Sequence, residues 1–137
     1  MDKLTKEHRS WNMGRIKSGN TKPEIAVRSI LHHMGYRFRL HRKDLPGKPD
    51  IVLPKYKVVI FVHGCFWHRH EGCKYAYTPK SRTEFWLKKF QSNIDRDRKV
   101  VNELVEMGWH VLIIWECEAK TPECVSKRLQ AFFRSLP

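Results

Sequence analysis

The sequence predicts an α/β fold in which a mixed sheet carries helices on both faces. Three observations lead there. Apolar patterns run along the chain as helix, strands, helix, buried strand, helix. The segment Trp109 to Trp115 (WHVLIIW) is almost continuously apolar, the mark of a strand covered on both sides. Two short β-branched runs, Ile51-Val52-Leu53 and Val58 to Val62, have the length and make-up of buried strands and are separated by a turn at Pro54-Lys55.

Residues 1–20 are polar and basic, with Trp11, Met13 and Ile16 scattered among them. Such a segment buries little, so it is expected to be an arm that stays mobile until something anionic docks. A single domain is expected over 21–137. Thr21-Lys22-Pro23-Glu24 has the form of a capping box with Pro in the first turn. It opens a helix in which Val27, Ile30, Leu31 and Met34 share a face, and Gly35 ends it. Tyr36, Phe38 and Leu40 alternate with Arg37 and Arg39, which predicts a strand with one wet, basic face. A loop containing Pro46-Gly47 leads to Asp50 and the central strand pair. Ser81-Arg82-Thr83-Glu84 is a second capping box, opening a helix to about Met107 with Phe90, Ile94, Val101, Leu104 and Val105 near one face. Thr121-Pro122 caps a last helix with Val125, Leu129 and Phe132 inward.

The chain has 137 residues, enough for one domain that buries roughly two-thirds of its unfolded surface without staples. Lys and Arg number 27 against 14 Asp and Glu, a net charge of +13. An excess of that size points to a polyanionic partner, most often nucleic acid; the alternative is a merely soluble basic protein. No run approaches the ~20 apolar residues of a membrane span, and no N-terminal stretch resembles a signal peptide. The expected compartment is therefore the cytoplasm, where the four Cys are thiols or metal ligands rather than disulfides.

The chemistry concentrates where the second central strand ends. His63-Gly64-Cys65-Phe66-Trp67-His68-Arg69-His70-Glu71-Gly72-Cys73 holds three His, two Cys and an aromatic pair in eleven residues. Cys65, His70 and Cys73 have the short spacing of half a structural zinc site. Cys117 could be the fourth ligand if its strand lies beside Val58–Val62, with Cys124 the competitor; the bland alternative is buried thiols and a surface histidine. Asp50, at a strand start, is either a turn aspartate or a Mg²⁺ ligand. His63 and His68, five apart across a glycine, could converge on one point and exchange protons near pH 7. Phe66 and Trp67 lie between a glycine and a charged cluster, where burial of both is hard to arrange. Rings on a basic surface stack on bases or wedge into a duplex; Trp86 could do the same or pack in the core.

These residues resemble the very short patch repair (Vsr) DNA mismatch endonucleases over nearly the whole chain. The matching segments include Arg9-Ser10 with Asn12-Met13, Leu45 to Asp50, Phe61 to His70, Arg82-Thr83-Glu84-Phe85-Trp86, Asn93 with Arg96-Asp97-Arg98, and Gly108-Trp109 through Trp115-Glu116-Cys117. The resemblance implies a three-layer α/β/α, restriction-endonuclease-like fold with a structural zinc site. It implies an enzyme that nicks one strand of double-stranded DNA beside a T:G mismatch left by deamination of 5-methylcytosine. Asp50 and the backbone carbonyl of Val62 would bind Mg²⁺, with two such ions expected, and Glu24 would belong to the same site. His63 and His68 would serve the hydrolysis, with His68 favoured for activating water. Cys65, His70, Cys73 and Cys117 would hold one Zn²⁺. Phe66, Trp67 and Trp86 would enter the duplex from one side and Met13 from the other, with Lys89 and Asn93 against the mismatched pair. The implied setting is a monomer at the bacterial nucleoid, with mismatch-repair proteins as further partners and no membrane.

Three departures from the family pattern stand out. Val62 replaces a threonine, which leaves a carbonyl ligand intact but removes a hydroxyl. The run from His68 to Cys73 is one residue longer, so the zinc loop must bulge. The acid-x-lysine common on the second strand of the wider superfamily is absent, which leaves proton work to the histidines. The rival expectations are a restriction-type endonuclease cutting matched sites and a non-catalytic zinc module binding mismatched or bent DNA.

Overall fold

The computed structural model describes residues 21–137. The expected mobile arm and its Met13 lie outside the described residues. Four strands form one sheet in the order β1 (Arg39–Leu40), β2 (Ile51–Leu53), β3 (Val58–His63) and β4 (His110–Trp115). The first three pair antiparallel, and β3 pairs parallel with β4, Val58 opposite His110 through His63 opposite Trp115. The parallel pair requires a crossover, which the long helix supplies.

Helices cover both faces. On one side α1 (Lys22–His33) and α4 (Pro122–Ser135) place Val27, Leu31, Val125 and Leu129 over Ile51, Leu53, Val58, Ile60, Leu112 and Ile114. On the other, α2 (Thr83–Glu106) sets Leu104 against Val52, Val59, Phe61 and Trp109. The short helix α3 (Glu116–Ala119) follows β4 directly. As expected, β4 has apolar contacts on both faces: Leu112 and Ile114 point into one core, Val111 and Ile113 pack on the other. Among the described residues, no helix is long and apolar enough to cross a membrane.

Local expectations fail in instructive places. Thr21 caps α1 through its hydroxyl, but Glu24 does not complete the box; it is 2% exposed and bonded to His41 and Arg28 instead. The strand expected from Tyr36 shortens to Arg39–Leu40, because Tyr36 leaves the ladder to stack on Phe133 with ring centroids 4.2 Å apart. Helix α2 begins without a box: Arg82 is left-handed at the N-cap and Thr83 donates its hydroxyl back to Lys80. Val105, expected inward, is 57% exposed. The buried stripe of α2 is Phe90, Asn93 and Leu104, with Val100 packed beside it.

The loop that delivers Asp50 is pinned by Gly47. Its φ is +71°, and a Cβ there would meet Val100 Cγ1 at 2.5 Å. Both the left-handed backbone and the close approach to α2 require glycine. Leu45, buried two residues earlier, anchors the same loop in the core.

Candidate active site

The C-terminal end of β3, the start of the loop after it and the middle of α2 meet in a cleft of about 750 Å³, lined among others by His63, His68, Arg69, Asp97, Arg98 and Trp115. The β2–β3 pairing brings Asp50 beside Val62, near the end of β3. The Val62 amide donates to Asp50 Oδ2 at 2.8 Å, and the next residue is His63. This contact is made by the Val62 N–H and is separate from the Val62 carbonyl that the resemblance implies as a ligand. Burial raises the Asp50 carboxyl above its ordinary value, while the Val62 amide and the charges of His41, His68 and Arg28 pull it down. A buried carboxylate in that balance welcomes a cation.

His63 and His68 converge as the spacing suggested. Their rings are parallel and 3.8 Å apart between centroids. His63 is 6% exposed, and its Nδ1 has no hydrogen-bond partner. Burial, with His68 beside it, lowers His63 to about 3, so it is neutral at pH 7. His68 has a different environment. Its Nδ1 lies 2.7 Å from Asp97 Oδ2, so a proton on Nδ1 is held by the carboxylate and Nε2 is left as an acceptor. The two stacked imidazoles are therefore unequal: His63 is buried and neutral, while His68 is more exposed and has a carboxylate partner.

Asp97 lies in a segment that matches the family, but the sequence alone assigns it no role. Nor does it assign one to two residues near Asp50. His41 Nε2 lies 3.0 Å from both carboxylate oxygens of Glu24, and Arg28 contacts Glu24 as well. Glu24, His41 and Asp50 each place one donor atom within 4.8 Å of the others, a set of two carboxylates and an imidazole. That donor chemistry fits a divalent cation.

The second centre is a cluster of Cys65, His70, Cys73 and Cys117, whose ligand atoms all lie within 4.8 Å of one another. His70 Nδ1 is 3.7 Å from Cys65 Sγ and 3.4 Å from Cys117 Sγ. Tetrahedral zinc, with Zn–S about 2.3 Å and Zn–N about 2.0–2.1 Å, would set those atoms about 3.6 Å apart. Cys117 thus joins the cluster from α3, whereas Cys124, the competitor, lies beside Glu118 at 3.9 Å. Burial pushes the Cys65 thiol up to about 12, so a thiolate there needs a cation beside it. Left-handed backbone at Arg69 (φ 57°) and Gly72 (φ 73°) folds the chain back so that Cys73 faces His70. Trp115 stacks on the His70 ring at 4.3 Å and fixes its plane.

The aromatic residues form a single patch. Phe66 touches Trp67, Trp86 and Phe90 with centroids 5.1, 5.6 and 5.2 Å away, and Trp67 lies 5.9 Å from Trp86. Phe66, Trp67 and Trp86 are half-buried and Phe90 is buried behind them, so the patch is braced from below. Arg69 ties the loop together, donating to the carbonyls of Phe66, Ala76 and Tyr77 while its guanidinium sits 3.8 Å over the Phe90 ring. Lys89 is exposed. Asn93, expected against a base pair, is 4% exposed; it donates to the Trp67 carbonyl at 2.9 Å and accepts from Arg96. It therefore positions Trp67.

Comparison with known proteins gives a consistent picture. The family model described as DNA mismatch endonuclease Vsr matches residues 1–74. The chain is 50% identical over 129 residues to the Type II nicking enzyme V.XorIIP of Xanthomonas oryzae pv. oryzae, covering 94% of each. It is 45% identical over 134 residues to the DNA mismatch endonuclease Vsr of Escherichia coli, covering 94% of this chain and 83% of that protein. Among solved structures, the catalytic domain of the homing endonuclease I-Bth0305I superposes with a TM-score of 0.60 at 23% identity, over 85% of this chain and 97% of that one. That likeness is one of fold and agrees with the restriction-endonuclease-like architecture expected from sequence.

Proposed function

The chain belongs to the Vsr family of DNA mismatch endonucleases, and from that premise we propose that it nicks one strand of duplex DNA beside a T:G mismatch by Mg²⁺-dependent hydrolysis. The observation that carries the chemistry is the Val62 bond, which sets the Asp50 carboxylate one residue from the His63–His68 stack. Asp50, the Val62 carbonyl and Glu24 would hold the catalytic Mg²⁺, with a second ion completing the pair. When bound there, Mg²⁺ supplies Lewis-acid stabilisation of the charge that builds on the scissile phosphate. His68 takes the proton of the attacking water at Nε2, and Asp97 balances the imidazolium that results. His63, neutral and desolvated, adds no competing charge to the stack and can present a ring N–H to a phosphate oxygen.

Zn²⁺ held by Cys65, His70, Cys73 and Cys117 would stiffen the loop that carries His68 and the rings. Phe66, Trp67 and Trp86 would wedge into the duplex, with Met13 opposite. A mismatched pair costs less to unstack than a matched one, so part of the discrimination would be deformation energy. Lys89 would contact the mismatched pair, and Asn93 would act by holding Trp67. Strand-resolved cleavage of T:G and matched duplexes in varied contexts, with and without Mg²⁺, tests this. Nicking confined to one strand of the T:G duplex is expected; equal cleavage of both strands of a matched site would overturn it. An Asp50→Ala variant that binds the duplex but does not cut it separates an enzyme from a passive binder.

A further inference from the structure

We propose that His41 is a nitrogen ligand in the Asp50–Glu24 cation site, and that it biases the site toward first-row transition cations over Mg²⁺. The inference rests on the assignment of Asp50 as the cation-binding carboxylate and adds a residue and an ion preference to it. His41 follows directly on β1. Its amide extends the ladder by donating to the Asp50 carbonyl at 3.2 Å, so its backbone is tied to the residue whose side chain the site needs. Its ring then meets Glu24, with Nε2 3.0 Å from both carboxylate oxygens. Donor atoms of Glu24, His41 and Asp50 all lie within 4.8 Å of one another. An octahedral ion with donors at about 2.1 Å spaces adjacent donors about 3 Å apart and opposite ones about 4 Å. The 3.0 Å between His41 Nε2 and the Glu24 oxygens is that of adjacent vertices, and Asp50 is close enough to share an ion with both after a small adjustment, so His41 would take one vertex of the sphere.

The chemistry of that vertex decides the preference. Mg²⁺ favours an all-oxygen sphere and gives up water reluctantly. Imidazole favours transition ions, whose affinity for nitrogen rises along the first row. A site of two carboxylates and one imidazole is thus better matched to Mn²⁺ or Co²⁺ than to Mg²⁺, although Mg²⁺ still binds through the oxygens and water. Arg28, which also contacts Glu24, sets an upper limit on how much positive charge the site accepts, so a single ion at this vertex is expected.

The test uses the full chain loaded with zinc, so that the cysteine cluster does not take up the probe. Mn²⁺ binding is measured by electron paramagnetic resonance, with Mg²⁺ as competitor, and ¹⁴N coupling to bound Mn²⁺ is read by electron spin echo modulation. The wild type should bind Mn²⁺ about tenfold or more tighter than Mg²⁺ and show nitrogen coupling. His41→Gln keeps a hydrogen-bonding side chain beside Glu24; it should lose the coupling and bring the two affinities within about threefold. His41→Asn serves if the glutamine variant does not fold. Coupling that persists in these variants, or is missing in the wild type, overturns the proposal while leaving Asp50 as the cation ligand, provided Asp50→Asn abolishes binding of both ions. If Asp50→Asn leaves both ions bound, the assignment of Asp50 falls, and this inference falls with it.

Discussion

His68 Nδ1 lies 2.7 Å from Asp97 Oδ2 across the cleft between the β3 loop and α2. That contact fixes which nitrogen of the imidazole carries its proton and so which is free to take one from water. Asp97→Asn is nearly isosteric but offers an amide that can donate to Nδ1 and favour the opposite tautomer. The expected result is a fall in kcat of about 10²- to 10⁴-fold with DNA affinity little changed. Single-turnover cleavage alongside equilibrium binding checks it; equal losses in both would show Asp97 acting through DNA binding.

Zinc should be a folding ligand here. Four ligand atoms within 4.8 Å of one another draw on the β3 loop and on α3, so the ion would link distant segments, with His70 and Cys117 47 residues apart. Native mass spectrometry should find one zinc per chain, and Cys117→Ser should lose it. Its removal is expected to lower the Tm by about 10 °C or more, because metal-binding free energy becomes folding free energy in such sites. A variant without zinc that melts with the wild type would refute this.

Burial of His63 gives a pH signature with a definite sign. Its folded value of about 3 lies below the ordinary 6.5, so between those two the unfolded chain binds the extra proton. Stability contributed by neutral His63 is complete above about pH 6.5 and declines as pH falls toward 3. Relative to His63→Asn, which has no such titration, the wild type should lose about 2 kcal/mol of stability between pH 7 and pH 5. Denaturant melts of the two proteins across that range measure the difference, and the subtraction removes acid effects common to both. A constant difference would mean that His63 is not desolvated.

Much of this arrangement was legible before any coordinates, and the exceptions share a cause. Runs of one polarity announced themselves: WHVLIIW as a strand between two layers, and the dense His/Cys segment as a site. What escaped were polar side chains on apolar stripes. Reading α2 by its hydrophobic residues favoured Val105, which is exposed, and passed over Asn93, which is buried. In fact Phe90, Asn93, Asp97, Val100 and Leu104 follow one helical stripe at three- and four-residue steps. Its polar members, Asn93 and Asp97, hold Trp67 and His68. That stripe is visible in the sequence once a helix next to a site is allowed to carry polar residues inward. His41 had no comparable signal, since its partners Glu24 and Asp50 are brought to it only by tertiary structure. Glu24 was misassigned locally for the same reason: cap spacing is a short-range cue, and a long-range imidazole won its side chain.

Arg69 is expected to matter more for the loop than for DNA. It donates to three backbone carbonyls and covers the Phe90 ring, so its charge is engaged within the protein. Truncation leaves those acceptors without their donor, at roughly 1–3 kcal/mol for each one that water cannot reach. Arg69→Ala should therefore expose the 74–80 segment to limited proteolysis and lower stability, while the salt dependence of DNA binding keeps its slope. A slope reduced by about one, the signature of a lost phosphate contact, would reassign Arg69 to the DNA surface.

The rings give the last prediction. Trp67 sits at the front of the aromatic patch, its backbone carbonyl held by Asn93 and its indole 5.9 Å from Trp86. If these rings enter the duplex, 2-aminopurine beside a T:G pair should brighten on binding as it unstacks. Trp67→Ala should keep that base stacked and weaken binding of the T:G duplex by about 1–3 kcal/mol, or roughly 5- to 150-fold. Binding to matched DNA, carried by phosphate contacts of a chain with net charge +13, should change much less. The ratio between the two duplexes is thus the quantity to measure. If the variant weakens both equally, Trp67 supports the general grip on DNA, and mismatch selection must reside in side chains that touch base edges. Asn93→Ala separates the routes, because it leaves the indole in place but frees the Trp67 backbone. A partial loss of the ratio in that variant, with normal fluorescence once bound, is the outcome expected of a residue that aims the wedge.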